Sequence, residues 1–490
     1  MTTTIHNSKD FARCSKMYHL AKSLIILALP FLIASCHNRS KTPVYPNILL
    51  VMTDDQGWGD TSYNGHPHLK TPYLDEMASN GVVFNRFYAA SPVCSPTRGS
   101  VLTGRHPLRY GICHANCGHL KIEEVTLAEL VKEVGYTTGI FGKWHLGTLT
   151  RDTIDSNRGG RPQHDAHYSP PSQHGFDTYF VTEAKVPTWD PMITPPRSAG
   201  DVSLSQQEGR PFNTFYWSNR GEIETINLDG DDSRVIMDRV IPFIRDAVKQ
   251  DQPFFGVVWF HTPHLPVIAG ESYKEPYSEL SEDQQHFYGA LTAMDEQVGR
   301  LRKTLRELDI SENTVLFFTS DNGPEGENIT GRTQGSTKGL RGRKRSLYEG
   351  GIRVPGIMEW PGEILPGTTL ESPSFTSDYF PTIASILNIN LEKYNRPYDG
   401  MNLLPLLRGT MEKREQNLAF RINQQASLIG EVYKIYSNDG GNAFELYNIV
   451  EDPYESTNIA TSYPDQLNAM VTEWNQWKTS QEASANEADY

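Results

Sequence analysis

Short apolar runs alternate along the chain with segments in which apolar positions recur every three or four residues. The apolar runs predict buried strands at residues 47–52, 138–141, 254–259 and 314–319. The helical pattern predicts helices near residues 73–80, 126–134, 233–249 and 283–308. Strands that alternate with helices indicate an α/β fold, with a large sheet covered by helices on both faces.

The pattern changes twice further along the chain. Residues 151 to about 232 are rich in Gly, Pro, Ser and His without a regular period, which is typical of a long loop-rich excursion that carries specificity. From residue 415, short runs predict small antiparallel strands at 418–423, 427–429, 432–436 and 444–448. The polar tail 481–490 is predicted to be frayed.

Residues 1–35 have the pattern of a bacterial signal peptide of the lipoprotein type. An apolar run at residues 24–34 follows three basic residues and is too short to span a bilayer. The run ends in Ile33-Ala34-Ser35-Cys36, which resembles a lipobox and predicts lipidation of Cys36; ordinary cleavage nearby is the alternative. We therefore expect a linker at 36–45 and a lipid-anchored protein of the bacterial envelope, facing the periplasm or in the outer membrane.

Composition narrows the class of protein. The chain has 490 residues, of which 38% are hydrophobic and 21% charged, as in a soluble globular protein. Its formal net charge of −14 argues against general nucleic-acid binding. An acidic protein that acts on an anionic ligand needs a local cluster of basic residues.

Cys94 lies in the sequence Ser-Pro-Val-Cys-Ser-Pro-Thr-Arg-Gly, residues 91–99. Pro96 favours the first turn of a helix, which would put Cys94 at the positive end of the helix dipole. With Arg98 nearby, such a helix terminus is an anion site. The alternative is a buried cysteine in an ordinary capping turn.

Two acidic pairs follow predicted strands. Asp54 and Asp55 come after the first strand, and Asp321 and Asn322 follow the strand at 314–319. Because strand ends of an α/β sheet meet at one edge, the pairs are expected to converge there. Three carboxylates and one amide oxygen suit a hard divalent cation, and calcium more than magnesium. Taken alone, each pair is also typical of the turn that follows a strand.

Three further segments supply basic residues and histidines. Lys143 and His145 lie two residues apart, so an extended backbone would point both to one side. His261 and His264 follow the strand at 254–259, and Lys344 lies in a basic run at 341–345. A loop histidine bonded to backbone is the alternative for His264.

The Cys94-x-Pro96-x-Arg98 core and the segment 135–147 resemble the two signatures of type I sulfatases, enzymes of the alkaline phosphatase superfamily. The whole set resembles the bacterial polysaccharide sulfatases. The resemblance implies a sulfatase domain at 46–414 and a small C-terminal β subdomain with its tail at 415–490. It also implies that a sulfatase-maturing enzyme converts Cys94 into formylglycine (3-oxoalanine). The metal is then one calcium ion held by Asp54, Asp55, residue 94, Asp321 and Asn322.

The resemblance also implies the catalytic roles. The hydrated aldehyde at residue 94 attacks sulfur while Arg98 and Lys143 hold the sulfate. His261 and Lys344 assist the departing alcohol, and His145 removes the proton that lets sulfate leave. The expected substrate is a sulfated carbohydrate, with His264 as a tentative binding residue. Rival readings are a phosphate or phosphonate ester hydrolase of the same superfamily and an inactive envelope glycan-binding protein.

Two smaller questions remain open in the sequence. Cys113 and Cys117 are expected to form a small-loop disulfide in an oxidising compartment, with two free thiols or a metal site as alternatives. Tyr168, Trp189 and the pair at 216–217 in the excursion either stack on sugar rings or pack locally.

Overall fold

The computed structural model describes residues 45–203, 206–219 and 221–490. The predicted signal peptide, Cys36 and the linker up to residue 44 lie outside the described residues. Residues 46–490 form one compact unit. Among the described helices, none is long and apolar enough to cross a bilayer.

A nine-stranded mixed sheet forms the centre of this unit. Its order is β10-β2-β9-β8-β1-β7-β4-β5-β6, and the five strands from β8 to β5 run parallel. A two-stranded sheet pairs β3 with β11, and four antiparallel strands, β12 to β15, form a separate sheet. The strands are β1 Asn47–Thr53, β2 Val82–Phe84, β3 Phe87–Tyr88, β4 Thr137–Lys143, β5 Thr178–Thr182, β6 Trp217–Ser218, β7 Phe254–Trp259, β8 Thr314–Ser320, β9 Gly356–Glu359, β10 Thr368–Leu370, β11 Ser374–Phe375, β12 Leu418–Ile422, β13 Gln425–Ile429, β14 Tyr433–Ser437 and β15 Glu445–Asn448.

Helices connect the strands. The α-helices are α1 Pro72–Asn80, α2 Cys94–Thr103, α3 Leu127–Lys132, α4 Asp232–Lys249, α5 Glu271–Lys274, α6 Glu282–Glu307, α7 Glu349–Ile352, α8 Tyr379–Ile386, α9 Leu404–Leu407 and α10 Pro464–Ala485. Short 3₁₀ helices occur at Pro107–Arg109, Pro162–His167, Pro171–His174, Arg197–Ala199, Glu275–Tyr277, Ser311–Asn313, Thr376–Asp378 and Leu391–Tyr394.

The strand alternation explains why both faces of the sheet are covered. Leu316 of β8 belongs to a large apolar cluster with residues of α1, α4 and α6 on one face. Its neighbour Phe317 points to the other face, where its ring lies 4.5 Å from that of Tyr379 in α8. The predicted α/β fold with helices on both faces is therefore confirmed.

The four-stranded sheet at the C-terminus is also confirmed, and it has two buried faces. One face packs under α10 through Met470 and Trp474. The other face shares an apolar cluster with Leu347 of the main domain, through residues such as Phe420 and Ile429. This packing supports the segment that carries Lys344, three residues before Leu347.

The excursion 151–232 is loop-rich as expected, although it contributes β5 and β6 to the main sheet. One expectation fails because it concerns long-range contacts. The tail 481–490 is not frayed: α10 extends to Ala485, Asp489 pairs with Arg105, and the Tyr490 hydroxyl bonds Glu124. Partners distant in sequence hold these segments, and a local polar pattern does not reveal them.

Candidate active site

Two acidic pairs meet at the carboxyl edge of the sheet. β1 and β8 are neighbouring parallel strands with Thr53 opposite Ser320, so the residues that follow them emerge side by side. The backbone N–H of Asp55 donates to Oδ1 of Asp321 at 3.1 Å. Asp54, Asp55, Asp321 and Asn322 are all buried, and the structure brings the predicted set together.

Three cations face these carboxylates. Arg98 donates to Oδ2 of Asp321 through Nη2 at 2.6 Å and Nε at 3.1 Å. Lys143, the last residue of β4, places Nζ 2.6 Å from Oδ2 of Asp54. Lys344 lies 2.7 and 2.8 Å from the two oxygens of Asp55. These buried residues form the local basic cluster that an acidic protein needs.

The electrostatics differ from one carboxylate to the next. Burial and the nearby Asp54 raise the pKa of Asp321 to about 7, although Arg98 opposes this shift. Burial alone would raise the pKa of Asp54, but Lys143 and its other cationic neighbours hold that pKa well below the usual value. Burial raises the pKa of Asp55, and Lys344 opposes the rise. Such crowding of acids is favourable only with additional positive charge.

Two buried oxygens without hydrogen-bond donors indicate that the cluster can bind a cation. Oδ1 of Asp54 and Oδ1 of Asn322 are buried without a hydrogen-bond partner among the described residues. An orphaned buried acceptor is costly, and a cation would satisfy both. Asp54, Cys94 and Asp321 offer ligand atoms within 4.8 Å of one another. The residues therefore fit a hard divalent cation with oxygen ligands.

Cys94 begins helix α2 and contacts His145. The residue before it, Val93, is extended with φ −148°, and all ten helix residues are buried. Sγ of Cys94 lies 3.3 Å from Nδ1 of His145. Burial raises the pKa of the Cys94 thiol, which Lys143 and other cations oppose. Burial and the same lysine hold the pKa of His145 well below its usual value, so its imidazole is neutral.

A small covalent loop holds the far side of His145. Cys113 and Cys117 form the disulfide expected from the sequence. Between them, Asn116 has a left-handed backbone with φ 61°, and its Oδ1 lies 3.0 Å from Nε2 of His145. Nδ2 of Asn157 donates to the same oxygen at 3.3 Å. An oxygen at this position accepts the Nε2 proton and leaves the Nδ1 lone pair facing Cys94.

The structure does not place His261 where the sequence predicted it. Its Nδ1 lies 2.8 Å from Asp232 and its Nε2 lies 2.7 Å from the Thr182 hydroxyl, so both nitrogens are used inside the protein. His264 instead presents Nε2 toward the site, 3.7 Å from Oδ2 of Asp55, while Nδ1 bonds the carbonyl of Leu265 at 2.6 Å. His261 therefore offers no free ring nitrogen to the site, against the expectation, whereas His264 presents Nε2 there.

Sequence reasoning missed two charged residues at the site. Glu325 lies 3.1 Å from Nζ of Lys344 and forms a bidentate pair with Arg345 at 2.6 and 3.0 Å. Lys185 follows β5 and pairs with Asp201. Burial, together with the repulsion of Lys143 and Lys344, lowers its pKa to about 8. Neither residue belongs to a recognisable motif, so only the fold reveals them.

The aromatic residues of the excursion mostly pack inside the protein. Tyr216 is fully buried, stacks on Phe180 at 4.1 Å and donates its hydroxyl to Asp232 at 2.6 Å. Trp217 is buried and donates Nε1–H to Asp155 at 2.8 Å. These two residues are thus part of the core and not a sugar platform.

Known proteins of similar sequence share one activity class. Residues 46–389 match the family model of sulfatases. The chain is 34% identical over 383 residues to arylsulfatase A of Homo sapiens, covering 76% of this chain and 70% of that protein. It is 34% identical over 386 residues to N-acetylgalactosamine-6-sulfatase of Canis lupus familiaris, covering 75% and 67%. It is 32% identical over 432 residues to steryl-sulfatase of Rattus norvegicus, covering 76% and 72%.

Solved structures share the fold of this chain. The complex of Ps i-CgsB with k-i-k-neocarrahexaose is similar with a TM-score of 0.75 and 25% identity, over 91% of this chain and 97% of that chain. The phosphonate monoester hydrolase of Agrobacterium radiobacter shares the fold, with a TM-score of 0.61 and 20% identity over 90% and 96%. The family match and the close relatives agree with the residues gathered around Cys94: the chain belongs to the sulfatase family and is a sulfuric ester hydrolase.

Proposed function

We propose that this sulfatase removes sulfate from a sulfated carbohydrate, using formylglycine made from Cys94 and one calcium ion. The observation that carries the proposal is the position of Cys94, at the buried start of a helix within a Cys-x-Pro-x-Arg core and within 4.8 Å of ligand atoms of Asp54 and Asp321. Formylglycine supplies a hydrated aldehyde with two hydroxyls, one to attack sulfur and one to drive sulfate release.

Asp54, Asp55, Asp321 and Asn322 would hold the calcium ion. Calcium supplies positive charge that neutralises the sulfate and lowers the pKa of the attacking hydroxyl. Residue 94 faces the same cluster and is the fifth ligand that we propose.

The protein's own residues have distinct tasks around the sulfate. Arg98, Lys143 and Lys344 fix positive charge on three sides of the buried cluster. His145 accepts a proton from residue 94 because its neutral Nδ1 faces that side chain. His264 exchanges a proton with the departing alcohol, since its Nε2 is the ring nitrogen on the site side.

A carbohydrate substrate is supported by the relatives. N-acetylgalactosamine-6-sulfatase names an amino sugar sulfate, and Ps i-CgsB was solved with a neocarrahexaose. Arylsulfatase A and steryl-sulfatase are about as similar, so the substrate class needs a direct test. We also propose that Cys36 anchors the enzyme in the bacterial envelope and that a sulfatase-maturing enzyme acts on Cys94.

Expression with and without a sulfatase-maturing enzyme tests the proposal. Peptide mass spectrometry should show that Cys94 loses its sulfur only when the maturing enzyme is present. The matured chain should then release sulfate from some members of a panel of defined sulfated oligosaccharides, and its bound metal should be calcium by elemental analysis. The matched control is Cys94→Ala, which should be inactive. Full activity with unmodified Cys94, or hydrolysis of phosphonate esters in preference to every sulfate ester, would refute the proposal.

A further inference from the structure

A groove beside the active site is lined by residues of both the main domain and the C-terminal sheet region. Its cavity of about 600 Å³ lies in the range of small-ligand sites. We call it the side groove and define it by Trp58, Arg86, Lys338, Arg353, Lys413 and Tyr454.

The side groove is basic although the protein is acidic. Its lining carries four cations, Arg86, Lys338, Arg353 and Lys413, and two carboxylates, Glu371 and Glu431. Both carboxylates accept hydrogen bonds, and neither forms an ion pair with these four cations among the described residues. Oε2 of Glu371 accepts from Nδ2 of Asn85 at 2.8 Å, and Oε1 of Glu431 accepts from the backbone N–H of Arg414 at 2.8 Å. A surplus of positive charge in a chain of net charge −14 indicates an anionic ligand.

Backbone carbonyls orient the arginines without neutralising them. Arg86 donates to the carbonyls of Gly430 at 2.7 Å and Glu431 at 2.6 Å. Arg353 donates to the carbonyl of Asn85 at 2.6 and 3.0 Å. Both arginines are only 7% exposed, so they add positive potential to the groove, and the exposed lysines Lys338 and Lys413 are the cations that can contact a ligand.

The indole of Trp58 holds two of the cations. The guanidinium of Arg353 lies 4.6 Å from its ring centre, and Nζ of Lys338 lies 5.6 Å from it. Glu349 lies 3.7 Å from Nη1 of Arg353, but Lys434 already pairs with that carboxylate at 3.0 Å. The cationic wall is therefore preformed.

Exposed apolar side chains also line the side groove. These are Val432, Val450 and Tyr454, with exposed fractions of 41%, 59% and 51%. Exposed apolar side chains beside fixed cations suit a ligand with C–H faces and anionic substituents, which describes a sulfated sugar.

A second cavity links the side groove to a residue of the active site. This cavity of about 500 Å³ is lined by Lys344 and Arg345 and shares Leu340 with the side groove, and Lys344 pairs with Asp55 at 2.7 Å. Lys338 and Lys344 are six residues apart, so their Cα atoms are separated by at most about 22 Å. A glycan of several sugar units can therefore reach from one cavity to the other.

We propose that the side groove binds a sulfated stretch of the glycan outside the catalytic pocket. The groove would hold a polymeric substrate while successive sulfates are presented to the site. This inference rests on the proposed function, because the ligand is the same class of sulfated carbohydrate.

Binding of low-mass dextran sulfate tests the inference. Calorimetric titration would use the full chain carrying Cys94→Ala, which cannot turn over a substrate. In that background Lys413→Glu should weaken binding about tenfold at low salt, and Tyr454→Ser should weaken it as well. The matched control is Lys303→Glu, the same charge change at an exposed lysine of α6, which should leave the affinity unchanged. Unsulfated dextran and poly-glutamate should bind weakly.

Several results would overturn the inference. These are an unchanged affinity in both groove variants, an equal loss in Lys303→Glu, and poly-glutamate binding as tight as that of dextran sulfate. Sulfate release by the matured, unmutated chain is measured separately. If that chain hydrolyses no sulfate ester, the proposed function fails; if it does and the groove variants bind normally, only the side groove is refuted.

Discussion

Nδ1 of His145 lies 3.3 Å from Sγ of Cys94, and the opposite nitrogen of the same ring is 3.0 Å from Oδ1 of Asn116. The ring is thus fixed between the Asn116 amide oxygen and Cys94, the residue that we propose is modified. Burial and Lys143 hold the pKa of His145 well below its usual value, so the ring is neutral, and its Nδ1 faces the side chain from which the proposed mechanism removes a proton.

Asn116→Ala removes the acceptor that orients this ring. In the proposed mechanism His145 acts after the alcohol has left, so we expect kcat to fall about tenfold or more to a common value for all esters, and KM to fall with it. Steady-state kinetics on two esters check this, with a thermal melt to show that the fold is intact. Asn157→Ala is the control, because Asn157 donates to the Asn116 oxygen at 3.3 Å and its removal leaves the contact between Asn116 and His145 in place. An unchanged kcat would contradict the positioning role.

Cys94→Ser separates attack from release. Serine has one hydroxyl, so it can be sulfated but has no second hydroxyl to expel sulfate. We expect at most one turnover and a stable sulfated protein, visible by intact-protein mass spectrometry. Cys94→Ala should show neither. Continuous turnover by Cys94→Ser would show that the second hydroxyl is not needed.

Asp321→Ala should disable the metal site. The change removes a carboxylate that Arg98 and the proposed cation share, and we expect a loss of about a thousandfold in kcat/KM, or roughly 4 kcal/mol. Calcium content and activity are measured together after chelation and re-addition. Near-normal turnover of Asp321→Ala after exhaustive chelation would remove the metal from the mechanism.

The two histidines after β7 should respond differently. His264→Ala should slow hydrolysis of sugar sulfates about a hundredfold and of activated aryl sulfates much less, because a phenolate leaves without a proton. His261→Ala should affect both ester classes equally and lower the melting temperature, since it leaves Asp232 buried with one partner fewer. An equal loss of activity toward both ester classes in His264→Ala would mean that another residue exchanges the proton with the departing alcohol.

Asp399 should make a pH-dependent contribution to stability. Burial would raise its pKa, but two bonds from Arg109 at 2.8 and 2.9 Å hold it at about 2. A depressed carboxyl pKa stabilises the fold above the unfolded value near 4, and this stabilisation is lost as the pH falls toward 2. Asp399→Asn should therefore cost about 2 kcal/mol of unfolding free energy at pH 6, and the difference should shrink below pH 4.

Denaturant unfolding at several pH values checks this expectation. Asp165→Asn is the control, because its pair with Arg151 is exposed and worth little. A difference between Asp399→Asn and the unmutated chain that stays constant down to pH 2 would mean that the carboxylate does not titrate as described.

The sequence by itself determined the parts of the site that are local. The Cys94 core fixes a helix start, and the acidic pairs directly follow apolar strands, so their place at the sheet edge follows from strand direction. The same applies to Lys143, the last residue of β4. Lys344 is predicted only through the resemblance to the sulfatase family, because the basic run 341–345 does not by itself distinguish it from its neighbours.

Only the tertiary structure decided which side chains face the site. His261 and His264 are three residues apart, and their roles depend on buried partners from β5 and α4 that are distant in sequence. Asn116 matters because a disulfide loop packs against His145, and no hydrophobic period encodes that contact. The docking of Asp489 on Arg105 has the same origin. Local patterns report burial and backbone preference, whereas pairings across the chain are set by how the elements pack.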